Sequence, residues 1–285
     1  SPNANFRIVS ATENSATSDY NALQIKFQRR LSGRFQALAS YSWSKSLDTV
    51  SSDIGQDPPD RNIDINQERG LSDFDVRHAF NGAVTYLIPA PATNGVASHI
   101  LRDWSVDAIF TVRSAAPVNV TYFAFPSFAP GGILLRPDLL PGVPLYVSDS
   151  TVPGGRRINA NAFTIPSTER QGTLGRNALR GFPLSQIDLA VRRQFNFTER
   201  VNLQFRAEFF NLFNHPNFGD PNPADFSSVL GFVAGGPLTP LTPFFGQSTS
   251  MLGRSLGTGG TSGGLNPLFQ KGGPRSIQFG LKLHF

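Results

Sequence analysis

Five oxygen-bearing side chains alternate along the segment Asp60-Arg61-Asn62-Ile63-Asp64-Ile65-Asn66-Gln67-Glu68. In an extended chain Asp60, Asn62, Asp64, Asn66 and Glu68 would share one face. Calcium takes ~6–8 such oxygens, which makes this the metal-ligand pattern to weigh. Two features count against it. Ile65 stands where an EF-hand loop has its sharp-turn glycine, and an extended strand spreads its ligands beyond the ~2.5 Å reach of one ion. A solvated or lumen-facing acidic loop accounts for the same residues with fewer demands. The remaining reactive types form no set. His78, His99, His215 and His284 lack partners at metal-ligand spacing, and HExxH is absent. Gly246-Gln247-Ser248-Thr249-Ser250 lacks the closing glycine of a nucleophile elbow. The glycine-rich stretch 253–264 is not followed by Lys-Ser/Thr and reads as a flexible loop rather than a phosphate cradle. With no Cys, thiol catalysis, disulfides and thiolate metal sites are excluded. The expectation is a protein that is not an enzyme and carries no cofactor.

Something other than a reaction must therefore account for the composition. Hydrophobic residues make up 39 % of the 285 positions and charged residues 16 %, against ~25 % charged in an ordinary soluble domain. Phe is abundant, at 25 residues against 5 Tyr and 2 Trp. The formal charge of +5 comes without any Lys/Arg run beyond two residues, so a nucleic-acid partner is not expected. No apolar stretch approaches the ~18 residues of a membrane helix; the richest, 133–147, is broken by Arg136, Pro137, Asp138, Pro141 and Pro144. Membrane strands remain open, because each needs only ~9–11 residues of alternating character.

Alternation with period two is what recurs. Leu23, Ile25 and Phe27 face away from Gln24, Lys26 and Gln28. The same pattern runs through Phe35–Trp43, through His78–Ile88 and through Trp104–Val112, and again in Ile187–Val191, Val201–Phe209 and Ile277–Phe285. With a weaker strand near residues 5–12, this predicts about eight antiparallel strands. Connections alternate short and long: 31–33 and 196–200 are tight, 89–101 is moderate, and 46–73, 115–182 and 214–273 are long. If the strands run up and down, the long ones all fall on one side. That is the asymmetry of an outer-membrane barrel, and three such loops would be out of place in a compact soluble domain.

The polar face points the same way. It carries Asp73, Asp75 and Arg77, Asp107 and Arg113, Asp188 and Arg192, and Arg206 and Glu208, groups that need water and one another. A wet lumen supplies both, with the apolar face turned to lipid. Tyr41, Trp43, Trp104, Phe195 and Phe209 cluster near strand ends, where aromatic girdles sit at membrane interfaces. The competing reading is a soluble β-sandwich or propeller whose aromatics form an ordinary core. The last strand places Phe279, Leu281, Leu283 and the final residue Phe285 in one phase. This is similar to the C-terminal signal that the barrel assembly machinery recognises in outer-membrane proteins.

Several stretches together resemble the Oar-like TonB-dependent receptors. They are Tyr20-Asn21-Ala22-Leu23-Gln24 with Arg29-Arg30, Tyr41-Ser42-Trp43-Ser44-Lys45-Ser46, Arg69-Gly70-Leu71-Ser72-Asp73-Phe74-Asp75-Val76-Arg77-His78, Asn177-Ala178-Leu179-Arg180-Gly181, Phe205-Arg206-Ala207-Glu208-Phe209-Phe210-Asn211-Leu212-Phe213-Asn214-His215-Pro216 and Gly273-Pro274-Arg275-Ser276-Ile277-Gln278. The resemblance implies an all-β fold: residues 1–285 as an antiparallel meander, the C-terminal portion of a barrel of about 22 strands. The plug and the carboxypeptidase-regulatory-like domain would lie outside these residues. It implies uptake of a scarce ligand (siderophore, oligosaccharide or peptide) in the outer membrane of a Gram-negative bacterium. The implied partners are outer-membrane lipid and lipopolysaccharide, the TonB complex, the barrel assembly machinery and a small-molecule ligand of unknown identity. A passive porin-like channel, a surface adhesin and a soluble β-rich binding domain are the alternatives.

Overall fold

The computed structural model describes residues 14–51, 65–90, 100–124, 132–198, 200–221, 235–240, 243–252 and 271–285. The strand expected near residues 5–12 lies outside them. Seven long strands form one antiparallel sheet in chain order: β1 Ser18–Ser32, β2 Phe35–Asp48, β3 His78–Leu87, β4 Trp104–Arg113, β5 Leu184–Asn196, β6 Asn202–Phe210 and β7 Ser276–His284. The two-residue piece Gly70–Leu71 adds to the end of β2. The protein is thus all-β, an antiparallel meander of about eight strands in an incomplete barrel wall. Among the described residues β1 pairs only with β2 and β7 only with β6, so the sheet has two free edges.

Local chemistry sets the short connections. Ser32 pairs with Phe35, leaving Gly33 and Arg34 as a two-residue turn with φ of 57° and 69°. Positive φ at both positions matches the twist of the flanking strands, and glycine takes the first position without penalty. Between β5 and β6, Thr198 Oγ1 accepts from the backbone N–H of Arg200 (3.3 Å) and of Val201 (3.0 Å). Both tight turns lie at the same end of the sheet, and the long connections lie at the other.

The pairing register keeps one apolar face continuous. Phe35, Tyr86, Val106, Val191, Ala207 and Phe279 form one cross-strand row. Ala37, Val84, Ala108, Leu189, Phe209 and Ile277 form the next. Slipping any strand by one residue would turn its apolar set to the other face. Among the described residues no second layer covers this side: Phe279 is 69 % and Leu281 71 % exposed, and Ile25 and Phe27 stand open on β1. The sandwich reading needed these residues sealed between layers.

The buried core sits elsewhere, in the connection expected to be a long loop. Residues 115–124 and 132–182 fold with 235–240 and 243–252 into a cap beyond the long-loop end. Its pieces pair as Pro117–Val118 with Leu179–Arg180, Tyr122–Ala124 with Ile133–Leu135, Asp138–Leu139 with Phe163–Thr164, and Tyr146–Ser148 with Arg156–Ile158. Val120, Tyr122, Leu135, Ile158, Phe163 and Phe245 close its centre. Strands of two or three residues are too short to show a period, so sequence patterning reads them as loop.

The facing assignment has a direct consequence. Leu189, midway along β5 on the apolar side, should cost ~2–4 kcal/mol of folding stability on change to Arg in lipid vesicles, while Ala190→Arg, flanked by Asp107 and Glu208 on the polar side, should cost little. Denaturant unfolding of the two variants measures the difference; equal losses would contradict the assignment.

Candidate functional site

Strand length fits a crossing. The seven strands hold 9–15 residues each, and ~9–11 tilted residues span an apolar layer. No helix among the described residues is long and apolar enough to cross a membrane. Of the five aromatic residues singled out from the sequence, Trp43 and Phe209 stand toward the long-loop end of the outward face and Trp104 and Phe195 toward the tight turns, while Tyr41 lies midway along β2. Tyr41 Oη lies 2.8 Å from His78 Nδ1 with the two rings stacked, and Trp104 Nε1 donates to the Ile100 carbonyl at 2.8 Å. On β7, Phe279, Leu281 and Leu283 share the outward face, and Phe285 follows the strand fully open.

The opposite face is a polar wall whose charges satisfy one another. Arg192 Nη2 donates to Asp107 at 2.6 Å, and the Thr85 hydroxyl donates to the same carboxylate at 2.7 Å. Gln186 Nε2 donates to Asp188 at 2.8 Å, and Arg206 pairs with Glu208 at 2.5 Å. One row departs from this pattern: Leu38, Ala83 and Ile109 pair across β2, β3 and β4, and Leu38 (43 %) and Ile109 (51 %) stand exposed on the wall.

At the long-loop end, three arginines hold the cap to the sheet. Arg176 binds the Asp48 carboxylate, with its Nη1 also donating to the Asp48 carbonyl at 3.0 Å and its Nη2 to Ser51 Oγ at 2.6 Å. Arg180 pairs with Asp75 at 2.5 Å and donates to the Asp75 and Ala115 carbonyls. Arg136 pairs with Glu68 at 2.5 Å and donates to the Gln67 and Leu174 carbonyls. The Asp75 side chain is wholly buried, and its other oxygen accepts from the Ser46 N–H at 2.8 Å. Asn177, at φ 55°, donates to the Leu71 carbonyl and to Asp73. Gly70 lies so close that a Cβ there would come within 2.7 Å of the Arg176 carbonyl oxygen.

These contacts relocate several residues expected from the sequence. Asp73, Asp75 and Arg77 belong to a turn before β3, not to a lumen-facing strand, because Asp75 is drawn into the cap by Arg180. In the proposed oxygen cluster, Ile65–Glu68 is a turn of 3₁₀ helix, which ends the alternation, and Glu68 serves Arg136. Asp60, Asn62 and Asp64 lie outside the described residues, as does the Asn66 side chain. Among the described residues no three His, Asp or Glu converge on a metal-sized site. Periodicity alone missed the clamp, since its arginines lie in stretches without a period. The surviving signal was the pair of segments Arg69–His78 and Asn177–Gly181, which touch each other here.

Burial and pairing shift titrating groups of the cap in opposite ways. Arg170, donating to both oxygens of Asp138 at 2.9 and 2.8 Å, holds that carboxyl below the usual carboxylate range. Burial pushes Tyr122 up to about 12, and its hydroxyl finds no partner among the described residues.

A family model described as "Outer membrane beta barrel domain" matches residues 1–257. The chain belongs to that family, and the outer membrane of a Gram-negative bacterium is its location. No curated protein and no solved structure matches.

Arg180→Ala strips the cation from a fully buried carboxylate and should cost ~3–5 kcal/mol of cap docking, whereas Arg170→Ala, at a half-exposed pair, should cost ~1 or less. Limited proteolysis of the cap in outer-membrane vesicles would rank them, with Arg180→Ala cleaved far sooner. Tyr122→Phe deletes a buried hydroxyl without a partner, so stability should hold or rise by up to ~1 kcal/mol. The raised folded-state value means this tyrosine's share of stability is present below pH 10 and is lost as pH rises toward about 12. Alkaline melting curves of the two proteins should therefore diverge, with wild type falling further below Tyr122→Phe as pH rises from 10 toward about 12.

Proposed function

We propose that the chain is the C-terminal part of the barrel of a TonB-dependent receptor that takes up a scarce ligand through the outer membrane. The observation that carries this reading is the inner wall. Among the described residues, seven long strands with two free edges line a charged, water-requiring surface and are too few to enclose a wide lumen, which supports a larger barrel with further strands beside β1 and β7. Leu38 and Ile109 favour a plugged receptor over an open porin, since an exposed apolar spot on a polar wall is out of place against water and suited to a folded body resting there. The resemblance of the quoted segments to Oar-like receptors adds the energised mode of transport. The folded cap at the long-loop end would meet the ligand first, and the TonB complex would act through residues outside this chain. The in-phase residues Phe279, Leu281, Leu283 and Phe285 serve as the assembly signal in this reading.

Conductance separates the readings. Reconstituted in planar bilayers with potassium chloride, the natural protein should stay closed, and removing the segment that fills the barrel should open a large steady conductance. A steady ohmic channel in the intact protein would overturn the receptor reading in favour of the porin, and silence in both forms would favour the adhesin.

A further inference from the structure

The outward face carries a basic residue where lipid should meet only apolar groups. Arg193 on β5 follows Ile187, Leu189 and Val191 in phase and pairs across the sheet with Trp104 on β4 and Phe205 on β6. Its guanidinium carbon lies 4.2 Å from the Phe195 ring centroid and 5.5 Å from that of Trp104. Rings that contact a cation in this way hold it at the surface of the sheet while its long stem lies along apolar neighbours.

An apolar groove of about 360 Å³ opens beside the same tryptophan, lined by Ile88, Pro89, Leu101 and Trp104. Its tryptophan wall is fixed, since Trp104 Nε1 is tied to the Ile100 carbonyl. Leu101 is half exposed, so the groove faces outward rather than into the chain. Arg102 follows Leu101 in the chain and pairs with Asp103 at 3.7 Å. An apolar slot with a guanidinium at its edge is complementary to a molecule that is part hydrocarbon and part phosphate: a guanidinium offers a fork of donors that matches phosphate oxygens, and the slot takes an acyl chain.

We propose that this corner of the barrel binds one anionic phospholipid, with an acyl chain in the Ile88–Pro89–Leu101–Trp104 groove and the phosphate on Arg193. Phosphates of lipopolysaccharide offer the same group, but the corner lies at the tight-turn end. In outer-membrane barrels that end faces the periplasm and so meets the phospholipid leaflet. Arg29, 5.4 Å from the Phe35 ring at the same end, repeats the arginine-on-aromatic contact on β1. The inference needs the barrel and its facing only, and holds whether the barrel is a receptor, a porin or an adhesin.

Native mass spectrometry on the full-length protein, purified in mild detergent and delipidated, tests this with phosphatidylglycerol as the probe. The protein should retain one phosphatidylglycerol per chain at this corner, and Arg193→Gln should weaken that retention on the order of tenfold. Leu101→Asp should do the same by closing the groove to an acyl chain, while Arg206→Gln, on the inner wall, should leave retention unchanged. Uncharged diacylglycerol should compete poorly. Equal retention by wild type and Arg193→Gln would overturn the proposal. So would equal competition by diacylglycerol, which would mean that phosphate is not read, or Arg193-dependent binding of lipid A as tight as that of phosphatidylglycerol. If Arg193→Gln loses the heat-modifiable mobility of a folded barrel, the diacylglycerol competition on the wild type decides the matter alone.

Discussion

A strand in hydrocarbon has nothing but its neighbours to satisfy its N–H and C=O groups, and this requirement organises the whole sheet. Pairing must be complete along every crossing, and it must also be in one register, because a side chain's facing flips with each residue of slip. The rows from Phe35 to Phe279 and from Ala37 to Ile277 meet both demands across six strands. Everything else follows from the two faces so created. One can meet only lipid. The other gathers Asp107 with Arg192 and Arg206 with Glu208, pairs that persist because water and opposite charge are both at hand.

The cap obeys the opposite chemistry. It has a sealed apolar centre of its own and is joined to the sheet by buried ion pairs rather than by continuous strands. Burying Asp75 completely is costly unless its cation and backbone donor are both in place, so the contact is specific to one docking geometry. The mouth of the wall therefore carries a shaped surface in place of a set of independent loops. That is consistent with a barrel whose outer end selects what approaches, as the receptor reading requires.

Legibility from sequence divides along the same line. Alternation located all seven long strands, because a strand that meets lipid on one side and water on the other must repeat every two residues for nine or more positions. The cap had no such signature: Tyr122–Ala124 and Ile133–Leu135 are three residues each, and glycine and proline between them read as loop. Asp73 and Asp75 were misplaced because a carboxylate bound by a distant arginine looks, locally, like any polar strand residue. Asn177 and Arg180 could have been singled out only through the resemblance of their segment to a family, never through spacing, and Arg176 lies one residue outside that segment.

The facing of the side chains can be measured directly, and the absence of cysteine makes the chain well suited to it. Single cysteines placed along β6 from Gln204 to Phe209 in the full-length protein, spin-labelled in lipid vesicles, report contact with oxygen in lipid or with a water-soluble relaxation agent. Phe205, Ala207 and Phe209 should respond to oxygen, and Gln204, Arg206 and Glu208 to the aqueous agent, alternating at every step. A profile without the two-residue period, or one in which Phe205, Ala207 and Phe209 reach neither agent, would contradict the account.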